Sequence, residues 1–160
     1  MPVLTEKAAQ RRSTTDRSGG KGEAYDMHVL CSTIELAAAD STSTIDFGRI
    51  PSNARILPSS RLYNDDLTTT ASITMDIGLK AVDGNITDDP DALGNGFDVS
   101  AAVNDALVLS DAANAGLPAW DFVANQTSDP GGEFIVQAEI MDGDTTATGT
   151  VTLELCYYLD

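Results

Sequence analysis

The sequence predicts an all-β protein, mainly an antiparallel β-sandwich or barrel-like sandwich, with one short helix and an extended N-terminal arm. Three observations lead there. From Met27 onward, apolar and polar residues alternate with period two in runs of strand length. Clusters of Gly, Pro, Asn and Asp separate those runs, as turns between strands require. The regular strand–helix alternation of a parallel α/β sheet is missing. A chain of 160 residues can bury roughly two thirds of its unfolded surface in a single core, so neither a disulfide nor a metal is needed to hold it.

The elements follow in order. His28 to Leu36 places Leu30, Ser32, Ile34 and Leu36 on one face and Val29, Cys31, Thr33 and Glu35 on the other. Ser43 to Phe47 reads as a short strand closed by Gly48, and Pro51-Ser52-Asn53 as a turn. Ala54 to Tyr63 reads as a strand interrupted by Pro58, which cannot donate to a ladder and belongs at an edge or a bulge. The clearest strand is Thr69 to Lys80, where Ala71, Ile73, Met75, Ile77 and Leu79 alternate with polar residues and Gly78. Residues 83 to 96 are expected to form a long acidic loop. Asp98 or Ser100 then caps the short helix, whose apolar residues Val103, Ala106 and Leu107 have helical spacing. Ala119 to Ala124 is expected to be a brief strand around Trp120. Glu133 to Met141 and Thr148 to Leu159 alternate again and are expected to close the chain as a β-hairpin.

Charge divides the chain into two domains, an arm over 1–26 and an acidic body over 27–160. Lys7, Arg11, Arg12, Arg17 and Lys21 stand against three acids in the first 23 residues, a net +2. The rest carries Arg49, Arg55, Arg61 and Lys80 against 22 acids, a net −18, with no Lys or Arg after Lys80. A body this acidic repels phosphate, which removes the term that ordinarily drives nucleic-acid binding. An arm opposite in sign to its body is expected to dock on another, acidic subunit. No stretch approaches the roughly 20 apolar residues that span a bilayer, and Met1 to Ala9 lacks the apolar core of a secretory signal, so folding in a cytoplasm is expected.

Residues that carry chemistry are scarce. General acid-base and nucleophilic catalysis lean on histidine, and His28 is the only one, at the start of a strand. Nucleophile-elbow, phosphate-loop and dinucleotide motifs are absent, so no enzyme is expected. Aromatic platforms for a sugar are thin, with one Trp, four Tyr and four Phe. Asp83, Asn85, Asp88, Asp89 and Asp91 offer the hard oxygens calcium takes, but without the regular spacing of a calcium loop, and the favoured reading is a solvated loop with no metal or cofactor. Cys31 and Cys156 lie far apart in strand-like runs and are expected to be buried free thiols; a bridge between them is open only if the first and last strands are neighbours, and a reducing compartment argues against it.

The stretch Asp40-Ser-Thr-Ser-Thr-Ile-Asp-Phe-Gly-Arg-Ile-Pro-Ser-Asn-Ala-Arg-Ile-Leu resembles a phrase of virion proteins of tailed bacteriophages: a short strand ending in Gly, a Pro-containing turn, then a strand resuming with Ala-Arg-Ile. Ser128-Asp-Pro-Gly-Gly, the two strands after it and the final Tyr157-Tyr158-Leu159-Asp160 resemble the same group. The resemblance implies a virion accessory protein similar to capsid decoration (cement) proteins, which are small, β-rich, often trimeric and fastened by a terminal arm. It implies the major capsid protein as partner, a homo-oligomer with a trimer favoured, and a place on the outer capsid surface. A tail, fibre or baseplate module, and a calcium- or carbohydrate-binding β-sandwich, are the alternatives.

Overall fold

The structure, a computed structural model, describes residues 27–68, 72–82, 88–109, 115–123, 126–141 and 146–159. Among the described residues nine strands pair antiparallel in two sheets. The first sheet runs β1 (Met27–Ala39), β9 (Ala147–Tyr158), β4 (Arg61–Asn64) and β7 (Val103–Leu107), with β3 (Arg55–Ile56) also on β9. The second runs β2 (Thr44–Pro51), β8 (Glu133–Ile140), β5 (Thr74–Ala81) and β6 (Asp89–Asp98). The all-β sandwich read from the sequence is therefore the fold.

Alternation decides which residues fill the space between the sheets. Phe134, Val136, Ala138 and Ile140 of β8, Met75, Ile77 and Leu79 of β5, and Val151, Leu153 and Leu155 of β9 are all buried in one core. A buried side chain of this size contributes roughly 1.5–3 kcal/mol relative to its exposed form. Successive residues of a strand point to opposite faces, so a slip of one residue would turn each of these sets to solvent.

The tight turn from β1 to β2 carries the chain from one sheet to the other. Ser43 Oγ donates to Asp40 Oδ1 at 2.8 Å and accepts the Asp40 N–H at 3.0 Å, while the Thr42 N–H donates to the Ile140 carbonyl at 2.8 Å. Thr42 sits at φ +74°, a left-handed conformation that a β-branched residue resists and that this bonding holds in place. Leu57 to Ser60 forms the other expected break. The Ser60 hydroxyl donates to the Leu57 carbonyl at 2.8 Å and accepts the Cys156 N–H at 3.0 Å, leaving Pro58 where no ladder bond is asked of it.

Five sequence expectations are corrected. Gly48 does not close β2: it is a bulge at which the register with β8 shifts, and the strand continues to Pro51. Val103–Leu107 is the edge strand β7, not a helix, because pairing with β4 outweighs a local apolar spacing of three residues. Asp98, in place of a helix cap, accepts the Ser100 N–H at 3.0 Å and the Ser100 hydroxyl, bonds that hold its carboxyl below the usual aspartate range. The helix is instead α1 (Ala119–Phe122), where a strand was expected: the Ala119 and Trp120 N–H groups bond the Ala54 and Ser52 carbonyls at 2.8 and 3.0 Å. Finally, β8 and β9 lie in different sheets, so the last two strands cross the sandwich and do not form a hairpin.

The acidic loop is corrected as well: its second half is strand β6. Its register against β5 shifts twice, with Ile77 opposite Gly94 and Leu79 opposite Asp89. Gly78 lies between them, and the backbone of Asp89 and Pro90 passes so close that a Cβ there would sit 2.1 Å from the Asp89 carbonyl oxygen. A side chain at 78 would exclude that crossing. The glycine is what lets an Asp- and Pro-containing segment pair with a core strand. Of the expected strand Thr69 to Lys80, residues 69–71 lie outside the described residues, and pairing begins at Thr74.

Candidate interaction surface

The residues proposed from sequence do not converge on one site. Lys7, Arg11, Arg12, Arg17 and Lys21 lie outside the described residues, as do Asp83 and Asn85. Asp88 accepts the Ala81 N–H at 2.8 Å, which ties the start of β6 to the end of β5. Asp89 and Asp91 belong to the β6 ladder. Among the described residues no group of three or more His, Cys, Asp or Glu side chains is placed to hold a metal ion.

His28 stacks on Tyr157 across the β1–β9 pair, with ring centroids 5.4 Å apart and planes inclined by 20°. It is a surface packing residue, as its isolation in the sequence implies. Cys156 is buried, but Cys31 is exposed and both are free. The expectation of two buried thiols fails at Cys31 because its side chain shares the outward face of β1 with Val29 and Thr33. The same two strands do carry both cysteines, yet Cys31 lies opposite Glu154 and Cys156 opposite Val29.

One polar group is built into the inward side of β4. Asn64 follows Leu62 on that side, and its Nδ2 donates to the carbonyls of Asp65 at 2.7 Å, Ala101 at 2.9 Å and Val99 at 3.4 Å. It thereby fastens the loop after β6 to β4. Its Oδ1 is buried without a partner among the described residues. Asn64 lines a shallow depression of about 110 Å³ with Tyr63, Asp65, Thr150 and Thr152. Asp65 Oδ2 accepts the Thr150 N–H at 3.0 Å, so the depression is braced internally.

The surface is dominated by acid. Of the four cations in the body, Arg49 pairs with Glu133 at 3.4 Å in an exposed bridge, a geometry contributing about 0–1 kcal/mol. Arg55 donates to the Gly116 carbonyl at 2.9 Å and Arg61 to the Pro58 carbonyl at 3.2 Å. These bonds tie both guanidiniums to turns.

The two stretches that resemble virion proteins are neighbours in space. β2 pairs with β8 from Thr44–Glu139 to Pro51–Glu133. At the same end Ser52 Oγ donates to Asp129 Oδ1 at 2.7 Å, and that carboxylate also accepts the Gly131 N–H at 2.8 Å. The Pro51 and Pro130 turns thus form one braced corner.

Fold and surface define a class: an acidic, antiparallel two-sheet β-sandwich. No protein-family model matches the chain, and no curated protein matches it. Solved structures do. A chain in the capsid of Ralstonia phage GP4 superposes with a TM-score of 0.62 at 23% identity, covering 84% of this chain and 85% of that one. A chain in the cyanophage Pam1 capsid asymmetric unit superposes with a TM-score of 0.56 at 19% identity, covering 85% and 86%. The likeness at these identities is one of fold, and it extends over about five sixths of the chain.

Proposed function

We propose that this chain is a structural, non-enzymatic component of a tailed-phage virion, and within the virion a decoration protein that binds the outside of the head and bridges major capsid subunits. The observation that carries the reading is the fold likeness to chains of two phage capsids over about five sixths of the sequence. Three further features support it. The chain beyond residue 23 carries a net −18, which opposes contact with packaged DNA and suits an outer surface. The stretches resembling virion proteins, distant in sequence, meet at one corner of the sandwich. The basic segment Lys7 to Lys21 precedes the body as an arm able to dock on acidic shell surface.

In this reading the sandwich supplies contact area across subunit boundaries, and the arm fastens it. Added contact resists the outward pressure of packaged DNA without any chemical step. The test is copy number in purified particles, measured by quantitative mass spectrometry against the shell protein. A decoration protein appears in a fixed proportion to the shell protein, and loss of its gene yields particles less stable to heat or chelator. A handful of copies per particle places it in the tail or baseplate and overturns the proposal.

A further inference from the structure

We infer that the free edge of β1 is a self-association site, pairing antiparallel with β1 of a second copy of this chain about a two-fold axis near Cys31. The inference is independent of the virion reading. It starts from how the sandwich treats its edges. An edge strand presents a row of unpaired N–H and C=O groups, and proteins blunt such edges with short strands, proline, bulges or charge. β2 has Pro51, the Gly48 bulge, Asp46 and Arg49. β6 has Asp89, Pro90, Asp91, Asp98 and two register shifts. β7 is five residues long with Asp105 in its sequence.

β1 has none of these over its first eight residues. From Met27 to Ile34 it contains no proline, no Asp, Glu, Lys or Arg, and its register against β9 is unbroken through Leu36. Among the described residues β9 is its only strand partner. Two of the four exposed large apolar side chains of the described residues, Met27 at 64% and Val29 at 47%, stand on its outward face beside the exposed Cys31. On its inward face Leu30 and Ile34 are only partly buried, although they pack on the core, and among the described residues no strand pairs on the side of β1 away from β9. An added strand would complete the burial on both faces at once.

Charge selects the occupant. A basic segment would find no carboxylate on β1 before Glu35, so a charged partner gains nothing specific from residues 27–34. A second copy carries the same −16 overall, and the approach that minimises repulsion between two such bodies is through the strip without charge. An isologous antiparallel pair about Cys31 sets Cys31 opposite Cys31 and Val29 opposite Thr33 of the other copy, all on the outward face. A single strand pair buries less than the roughly 1,200 Å² of a stable interface, so the free dimer is weak and concentration-dependent. It is a pairwise contact, distinct from any three-fold one.

The test is sedimentation equilibrium of the full chain over a range of protein and salt concentrations, with crosslinking by a short bis-thiol reagent. The expected result is a monomer–dimer equilibrium that strengthens as salt rises, since salt screens the repulsion and leaves the backbone pairing intact. Crosslinked dimers should map to Cys31–Cys31. Cys31→Lys, at an exposed position, sets two like charges beside the axis and should weaken the dimer about fivefold or more. Met141→Lys, at an exposed apolar residue outside β1, should leave it unchanged. The inference is overturned by a monomer at every concentration and salt, by dimers indifferent to Cys31→Lys, or by Cys31 shielded in a monomer, which would mean that another part of the same chain covers the edge.

Discussion

Replacing Gly78 with alanine isolates one device of this fold and gives it a magnitude. A Cβ at this position would lie 2.1 Å from the Asp89 carbonyl oxygen and 2.2 and 2.4 Å from the carbonyl carbon and oxygen of Pro90. Carbon-to-oxygen contacts settle at about 3.3 Å or more, so the backbone of β6 must retreat by about 1 Å. The obstacle is main chain, not the end of a flexible side chain, which sets the cost near the upper end of overpacking, about 3 kcal/mol. For a domain of this size that lowers Tm by roughly 10 °C. Gly96→Ala is the control: nothing stands within 4 Å of its Cβ, but φ is +66°, and the left-handed conformation alone costs about 1–2 kcal/mol. Urea unfolding followed by circular dichroism should place the midpoints in the order wild type, Gly96→Ala, Gly78→Ala. A Gly78→Ala protein as stable as Gly96→Ala would refute the close crossing of β6 over β5.

Three further outcomes are expected. Asn64→Ala removes the amide that serves the carbonyls of Asp65 and Ala101 and should destabilise by about 1–3 kcal/mol in the same unfolding assay; a neutral result would mean that these carbonyls find water. In dilute native protein a thiol reagent should label Cys31 quickly and Cys156 only on unfolding, because the second is 7% exposed; two thiols labelled at one rate would contradict the placement of β9. Alanine at Arg11, Arg12 and Arg17 should weaken attachment to particles while leaving the β-sheet circular dichroism intact, the exposed pairs contributing about 0–1 kcal/mol each and fading with salt. Binding equal to wild type at every salt concentration would remove the arm from the docking contact.

What the sequence made legible was whatever period two alone decides. β1, β5, β8 and β9 each carry alternation strong enough to place Leu155, Phe134 or Ile77 inward without knowledge of the partner strand. Elements whose conformation is set by a distant segment were misread. Val103, Ala106 and Leu107 have helical spacing, and only the pairing of Leu62 with Ala106 makes them a strand. Asp89 to Asp98 looks like a loop because the room for its pairing is made by Gly78, some 11 residues earlier. The Ala119–Phe122 turn of helix depends on carbonyls of Ser52 and Ala54, which sequence spacing does not connect to Trp120. The unprotected edge of β1 was equally hidden: its sequence reads as an ordinary half-buried strand until the sheet order leaves it outermost.

The central claim, a decoration protein on the outside of a phage head, is most directly tested by imaging particles made with and without this chain. Difference density should be confined to the outer surface of the shell, repeated with the symmetry of the head and seated across boundaries between major capsid subunits. Difference density at the tail or baseplate, or inside the shell against the DNA, would contradict it.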